Sequence, residues 1–339
     1  MNFDKSSFKT EPNFKFKEIV TDKAECLSST YQFECYKDKN GEVYLIYSFR
    51  DIDANKYYLS VLRLKDNKEV KLLEGYNDRI LTIRYFQDPY TKNDYLVSAD
   101  RRNKIILWDL SNNFAKKVET KVNCTSFIYS LLLIFDSNKI YIVFSNVNDG
   151  TKIFDIDNKN NIIKLTNPNF SSYFLEYWYN SKKNKHNIII CGKSKILINE
   201  FPDNKIYDEF KSGEKYPYNL GAITFKNKGR DLLAVSATYG LIQIYSFEYK
   251  EVFIKIILDG SFLYSFVKWN DNYLLINDCQ NKCILVLDKN DNFQVKKTIP
   301  CPEMYFDRFI KKVEHPLYGE SILSVSLDGK IRIFINENK

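Results

Sequence analysis

A short apolar run recurs seven times along this chain at nearly even intervals. The runs end at residues 63, 109, 155, 200, 246, 288 and 335, so that consecutive ends lie 46, 46, 45, 46, 42 and 47 residues apart. A repeat of this length is typical of one four-stranded propeller blade. The spacing therefore predicts an all-β fold, a seven-bladed β-propeller of four-stranded antiparallel blades.

The second repeat shows the predicted blade most clearly. Residues 80–86, 94–98 and 105–110 form three apolar or alternating segments, and 116–120 is a short polar segment suited to an exposed outer edge. Two unrelated β domains would make the even spacing a coincidence. We therefore predict one propeller domain over 14–339, preceded by a tail over 1–13.

The ends of the sequence suggest how such a ring closes. The third strand of the seventh repeat falls at 331–335, close to the last residue, whereas residues 14–20 alternate between apolar and polar side chains ahead of the first blade. We expect the segment 14–20 to pair with the last blade as its outer strand. This pairing would remove two open sheet edges at once.

Specific residues of the second repeat carry a resemblance to a known family. Ser98 and Asp100 stand at the predicted turn after the second strand, and Trp108-Asp109 ends the third. In these features the chain resembles the WD-repeat (transducin-like) β-propellers. A second stretch, residues 326–334, matches the same pattern.

The resemblance implies a structural role for these side chains. In that family a Ser or Thr, an Asp, a His and a Trp form a hydrogen-bonded set within each blade. It implies that Ser98, Asp100 and Trp108 form the structural blade set here, with Tyr76 or Asn77 in the place of the His. A fold of this kind hosts many functions, so the resemblance does not name one.

Composition favours an intracellular protein. The seven cysteines are an odd number without framework spacing, which is typical of free thiols in a reducing compartment. The first residues are polar and contain no signal-peptide core, and the longest apolar segment, 127–135, is too short for a membrane helix. We expect a cytoplasmic or nuclear protein without a membrane span.

The titratable residues give little support for catalysis. The two histidines, His186 and His315, fall in predicted surface loops and away from any nucleophile motif. Cys279 and Cys283 form the one close cysteine pair, but a zinc site needs four ligands and no second pair is present. With no glycine-rich phosphate loop either, we expect no enzyme, no cofactor and no metal site.

Polar and aromatic residues in the predicted turns are the candidates for binding. Arg and Tyr are the types most often found as binding hot spots, and arginine pairs well with carboxylates. The alternative is that these residues are a solvated rim. The candidates on one face of the ring are Arg79, Arg101, Arg102, Lys104, Tyr216, Tyr239 and Tyr305.

Two functions from different classes fit this sequence. The first is a non-catalytic scaffold that binds one or more protein segments, possibly acidic, within a larger assembly. The second is a propeller that binds a polyanion, RNA or acidic lipid, through the arginines and the lysine-rich stretch 182–185. The surplus of 50 Lys and Arg over 43 Asp and Glu is mild, so nucleic acid is the weaker expectation. The sequence does not indicate the oligomeric state.

Overall fold

The computed structural model describes residues 12, 14–19, 33–51, 53–136, 139–158, 162–166, 170–213, 215–301, 309–325 and 331–337. Within these ranges the chain forms strands β1 to β28 and one turn of 3-10 helix, Thr238–Gly240. The strands make seven antiparallel four-stranded sheets. The prediction of a seven-bladed β-propeller is confirmed. The predicted tail lies outside the described residues except for Pro12.

The strands of the first four blades follow the chain from the centre of the ring outward. Strand β1 is Phe14–Ile19. Blade 1 contains β2 (Phe33–Lys37), β3 (Val43–Asp51), β4 (Lys56–Arg63) and β5 (Lys68–Tyr76). Blade 2 contains β6 (Ile80–Gln87), β7 (Asp94–Asp100), β8 (Lys104–Asp109) and β9 (Ala115–Lys121). Blade 3 contains β10 (Ile128–Asp136), β11 (Lys139–Asn146), β12 (Gly150–Asp155) and β13 (Ile162–Lys164). Blade 4 contains β14 (Ser172–Asn180), β15 (Lys185–Gly192), β16 (Lys195–Phe201) and β17 (Lys205–Lys211).

The remaining blades complete the ring. Blade 5 contains β18 (Asn219–Asn227), β19 (Arg230–Ala237), β20 (Leu241–Ser246) and β21 (Glu251–Ile257). Blade 6 contains β22 (Leu263–Lys268), β23 (Tyr273–Asp278), β24 (Cys283–Asp288) and β25 (Gln294–Pro300). Blade 7 contains β26 (Ile310–His315), β27 (Gly319–Val325) and β28 (Ile331–Asn336), and β1 is its outer strand.

The innermost strands meet around the ring. Each of β2, β6, β10, β14, β18, β22 and β26 contacts the next, and β26 contacts β2. Strand β1 runs antiparallel to β28, with Phe14 opposite Asn336 and Ile19 opposite Ile331. The Phe14 ring packs edge-on against Trp269 of blade 6, at 5.0 Å between ring centroids. Blade 7 is thus built from strands at both ends of the sequence.

The apolar core lies between neighbouring blades. Successive residues of a strand point to opposite faces of its sheet. In β8, Ile106 packs in a core with Val61 of blade 1, whereas Leu107 packs in a core with Ile142 of blade 3. Both faces of a blade are buried, which explains why the middle strands are continuous apolar runs in the sequence. Among the described residues no helix is long and apolar enough to cross a membrane.

A chain of buried hydrogen bonds ties the last residue of β5 in blade 1 to the second and third strands of blade 2. The Trp108 indole N–H donates to the Tyr76 hydroxyl at 2.9 Å, and the Tyr76 and Ser98 hydroxyls lie 2.6 Å apart. The Ser98 hydroxyl donates to the Ile106 carbonyl at 3.3 Å, so its single proton is used and Tyr76 donates to Ser98. Tyr76 therefore occupies the place that the resemblance gave to a His.

Asp100 shapes the turn between β7 and β8. Its Oδ1 accepts the backbone N–H groups of Arg102 and Lys104 at 2.9 and 3.0 Å, and its Oδ2 accepts that of Asn77 at 3.3 Å. Burial raises the pKa of this carboxyl, while the three backbone donors act in the opposite direction. The second matching stretch cannot be compared, because residues 326–330 lie outside the described residues.

The alternating strand directions give the ring two distinct faces. The entry face is formed by the connections between blades and by the turns between second and third strands of each blade. The exit face is formed by the turns between first and second strands and between third and fourth strands. Each innermost strand therefore begins at the entry face, and function in such folds concentrates in these connections.

Candidate functional site

Five of the seven innermost strands share a β-bulge at their entry-face end. In blades 2 to 6 the pairing of the first strand with the second shifts register next to the strand's second residue. Such a β-bulge leaves a residue unpaired and redirects its side chain. The residues at this position are Leu81, Tyr129, Tyr173, Leu220 and Tyr264.

All five bulge residues line one cavity. It opens on the entry face at the mouth of the central channel and has a volume of about 500 Å³. Its other lining residues are two arginines and three phenylalanines, namely Arg79, Arg101, Phe127, Phe174 and Phe309. A predominantly aromatic cavity with a few convergent polar groups is the usual form of a binding site.

Two inter-blade hydrogen bonds hold the bulged ends in place. The Ser130 hydroxyl accepts the backbone N–H of Leu175 in blade 4 at 3.1 Å, and the Ser265 hydroxyl accepts that of Ile310 in blade 7 at 2.8 Å. Each serine directly follows a bulge residue. The bulges are therefore integrated into the ring, so the cavity has a preformed wall.

Gly221 shows how closely two blades approach at this level. It follows the bulge residue Leu220, and a Cβ at its position would lie 1.7 Å from the backbone oxygen of Tyr264. No side chain fits in that space. The absence of a side chain at Gly221 thus lets β18 approach β22 and lets both bulge residues reach the same cavity.

Arg79 and Arg101 supply the charge of the cavity. Arg79 precedes β6 and Arg101 lies in the turn between β7 and β8, and the Arg101 backbone N–H donates to the Arg79 carbonyl at 2.8 Å. The Arg101 guanidinium lies over the Phe127 ring, 5.0 Å from its centroid. Neither arginine forms an ion pair with a described acidic residue. No described carboxylate therefore neutralises either positive charge.

The structure does not bring Arg102 and Lys104 into this cavity. The Arg102 guanidinium, with 65% of its side chain exposed, pairs with Asp78 at 3.4 Å. The Lys104 ammonium donates to the Gly75 carbonyl at 2.7 Å and pairs with Glu119 at 3.0 Å, on the outer side of the blade. Lys104 is a predicted partner-binding residue, but its contacts make it part of the blade.

The three predicted tyrosines have different environments. Tyr216 is only 8% exposed and packs with Ala237 and Leu241, so its side chain is part of the core and does not line the cavity. Tyr239 is 51% exposed on the entry face, and its ring centroid lies 6.2 Å from that of Phe262. Tyr305 lies outside the described residues.

An arc of tyrosines on the entry face was missed from the sequence. Tyr129, Tyr173 and Tyr218 come from blades 3, 4 and 5, and their rings meet edge to face at 6.2 and 5.4 Å. Tyr129 and Tyr218 are 42% and 40% exposed. For Tyr129 and Tyr173 the signal was an apolar residue at an equivalent place in successive repeats, which becomes specific only once the bulge is known, whereas Tyr218 precedes β18 and lies outside this pattern. We call these three residues the tyrosine arc.

The channel beneath the cavity contains paired charges. Arg84 of β6 lies across the channel from Glu176 of β14 at 3.5 Å and donates to the Leu175 carbonyl at 2.6 Å. Lys311 pairs with Glu34 at 3.1 Å. These pairs line a second cavity of about 340 Å³ that shares Phe174, Tyr264 and Phe309 with the first. These charges pair with each other, whereas the two arginines above them have no acidic partner among the described residues.

The exit face has an aromatic groove of its own. Its volume is about 460 Å³, and the lining includes Tyr90, Phe135, Tyr177, Tyr179 and His186. The Tyr177 hydroxyl and His186 Nδ1 are hydrogen-bonded at 2.7 Å. Burial lowers the pKa of His186, and the carboxylate of Asp136, 4.0 Å from Nε2, acts against this shift.

The expectation of two histidines in surface loops is wrong. His186 lies in β15 with its side chain 13% exposed, and His315 is the last residue of β26 with 2% exposure. His315 stacks on Tyr318 at 4.5 Å and its Nδ1 accepts the backbone N–H of Leu317 at 3.1 Å. Strand ends next to polar hairpins have the sequence pattern of a loop, so the half-buried position of His186 and the burial of His315 were missed.

Cysteines and acids do not form a metal site in the described part of the chain. No cluster of three or more His, Cys, Asp or Glu side chains there is placed to hold one ion. Cys279 and Cys283 are buried and neither forms a disulfide, and burial raises the pKa of Cys283 to about 11. A protonated, buried thiol is a weak nucleophile and a weak ligand.

Comparison with known proteins assigns neither a family nor a function to this chain. No protein-family model matches the chain, and a search of curated proteins finds no match either. The geometry of the entry-face cavity therefore has to support any functional conclusion.

Proposed function

We propose that this protein is a non-catalytic scaffold of the WD-repeat type that binds a protein segment on its entry face. The observation that carries the proposal is the cavity at the channel mouth, with an aromatic wall held by the ring and two arginines that lack an acidic partner among the described residues. Rigid aromatic and arginine side chains are the residues that dominate binding energy at protein interfaces. A preformed wall also lowers the entropic cost of binding.

The lining supports binding rather than catalysis. It supplies cations, rings and aliphatic side chains, and its described residues include no carboxylate and no histidine. Burial raises the pKa of Tyr173, so this phenol is protonated at neutral pH. We further propose an intracellular location, which the six free cysteines of the described residues support.

Contacts of the lysine-rich hairpin count against the polyanion alternative. Lys182 lies 3.4 Å from Glu248, Lys183 lies 3.6 Å from Glu200, and Lys185 lies 2.7 Å from Asp203. Acidic residues on the protein thus already offset the charges that would have attracted phosphates. Pairs at the surface are individually weak, but together they reduce the local positive potential.

Affinity capture tests the scaffold function. The tagged full-length protein is captured at moderate salt from cells that express it, beside an R79E/R101E variant and an R102E control of intact fold. We expect a stoichiometric protein partner that is lost with R79E/R101E and retained with R102E, because Arg102 lies outside the cavity.

Salt dependence distinguishes the alternative. Binding of labelled oligouridylate RNA and of phosphatidylserine vesicles is measured at low and moderate salt. A polyanion binder loses affinity by orders of magnitude as salt rises, since it releases counterions. If only these ligands bind and no protein partner is captured, the scaffold proposal fails.

A further inference from the structure

We propose that the entry-face cavity accepts a short partner segment in which an acidic residue lies close to a large apolar residue, Leu, Phe or Trp. The carboxylate pairs with Arg79 and Arg101, and the apolar side chain enters the uncharged side of the cavity. This inference rests on the proposed scaffold function and adds the chemistry of the segment.

The position of the charges favours a single acidic group. Arg79 and Arg101 are the two charged side chains among the described lining residues, and both come from blade 2. Their backbones are hydrogen-bonded to each other, so the two guanidiniums share one edge of the cavity. Arginine pairs with carboxylates through parallel N–H···O bonds, and such charge-assisted bonds are the stronger ones. One carboxylate at this edge can pair with both guanidiniums.

The opposite side of the cavity favours an apolar group. Leu220, Tyr264 and Phe309 come from blades 5, 6 and 7 and carry no charge. A charged side chain placed against them would lose its hydration without gaining a partner. A Leu, Phe or Trp side chain instead buries apolar area and contacts the rings.

The size of the cavity points to a segment rather than a folded surface. Its volume of about 500 Å³ lies within the usual range for pockets that enclose a small ligand. The tyrosine arc extends the site away from the arginines with exposed hydroxyls and ring edges. These groups suit the backbone on either side of an inserted side chain, because tyrosine combines a rigid apolar ring with a polar tip.

A nucleic acid strand fits this cavity less well. The tyrosine arc offers surfaces on which bases stack, but single-stranded binding also needs a groove of positive charge that follows the phosphates. Among the described residues, the cations of the cavity lining lie at one edge. The charge pattern therefore favours one acidic residue over a run of phosphates.

A peptide selection tests the inference. A display library of random dodecapeptides is selected on the full-length protein at moderate salt, and the enriched peptides are labelled with fluorescein for anisotropy measurements. We expect enrichment of an acidic residue close to Leu, Phe or Trp. R79Q and R101Q each weaken binding by about tenfold, the loss of one charge-assisted hydrogen bond. Y129A also weakens binding, through the loss of ring contact.

A double-mutant cycle identifies the direct contact. The affinity is measured for the wild type and R101Q, each with the enriched peptide and with its acidic residue replaced by the amide. If the carboxylate contacts Arg101, the two changes together lower the peptide affinity by a smaller factor than the product of their separate factors. R102Q and Y90A serve as controls of intact fold and are expected to bind the peptide as the wild type does.

The outcomes separate this inference from the scaffold function. Enriched acidic peptides that depend on Arg79 and Arg101 but contain no large apolar residue would overturn the inference, while the scaffold function stands. A selection without an acidic residue, or one without enrichment, would also overturn the inference. Binding of oligouridylate RNA by the same arginines, with no peptide selected, would overturn both proposals.

Discussion

The entry-face cavity and the exit-face groove are alike in size and aromatic content but differ in their charges. At the entry face, Arg79 and Arg101 have no described acidic partner. At the exit face, His186 is bonded to Tyr177 at 2.7 Å and faces Asp136, so its polar atoms are already engaged. The comparison teaches that aromatic lining alone does not distinguish the two faces. They differ in two arginines beside the entry-face rings that have no acidic partner among the described residues.

The local backbone explains part of this difference. At the entry face, the innermost strands of blades 2 to 6 are bulged, and five side chains turn toward the channel mouth. At the exit face, the groove lies between the turn at Tyr90 and the hairpin at Tyr179, above Leu133 and Phe135 of blade 3. The entry-face cavity is thus built from a bulge that recurs in successive blades, whereas the exit-face groove depends on two neighbouring hairpins.

The largest expected effect concerns the ring on which both faces depend. Deleting residues 1–20 removes β1 and leaves β28 as an open sheet edge. It also removes the contact between Phe14 and Trp269. We expect the thermal midpoint to fall by more than about 5 °C, because both sheet pairing and aromatic packing are lost. Differential scanning calorimetry measures the shift, with deletion of residues 1–11 as the matched control. An unchanged midpoint would refute a latching role for β1.

The next effect is specific to the bulges of the entry face. Gly221→Ala introduces a Cβ where the backbone oxygen of Tyr264 lies 1.7 Å away, so β18 and β22 must separate. We expect a loss of about 3 kcal/mol in the free energy of unfolding, at the upper end for overpacking. Urea unfolding measures the loss.

Gly229→Ala in the same blade is the control for this substitution. No atom lies within 4 Å of a Cβ at that position, so only the positive φ of Gly229, 78°, opposes the change. We expect a smaller loss of about 1 kcal/mol, the usual cost of a left-handed conformation for alanine. Equal losses for the two variants would show that the close approach of β18 to β22 does not limit stability.

The Tyr76→Phe variant tests the buried hydrogen bonds of the Tyr76 hydroxyl, and its expected effect is smaller than that of Gly221→Ala. Tyr76→Phe leaves the buried indole N–H of Trp108 without its acceptor and removes the donor to Ser98. We expect a cost of about 2 kcal/mol, the typical penalty of an unsatisfied buried polar group. Tyr90→Phe on the exit face is the control, because this side chain is 58% exposed. Equal unfolding curves for the two variants would show that the Tyr76 hydroxyl contributes no stability.

The smallest expected effect is a pH dependence that belongs to the exit face. Burial lowers the pKa of His186 below its unfolded value of about 6.5, so the unfolded chain binds a proton that the folded chain resists. This contribution to stability is complete above that value and declines as pH falls from it toward the folded pKa. When the pH is lowered from neutral to mildly acidic, we expect the free energy of unfolding to fall less for the His186→Gln variant than for the wild type. Urea unfolding at both pH values checks this, and parallel losses would exclude the role of His186.

The sequence alone predicted the blades well, because burial on both faces makes each middle strand a continuous apolar run. The ends of β4, β8, β12, β20 and β24 coincide with the repeat positions used to count the blades. It also placed Arg79 and Arg101 on one face, since turn positions follow from the strand count. It did not predict that Lys104 pairs with Glu119 or that Tyr216 lies in the core, because ion pairs and core packing in the turns depend on residues distant in the sequence.

The sequence and the tertiary structure thus determined different features of this protein. The sequence determined the number of blades, the strand order and the position of the turns, because these follow from local periodicity and a regular spacing. Tertiary structure decided that the Tyr76 hydroxyl links Trp108 to Ser98, that bulges turn five side chains into one cavity, and that Arg79 and Arg101 remain without an acidic partner among the described residues. Those features arise from contacts between blades, and the distances involved exist only after the ring has formed.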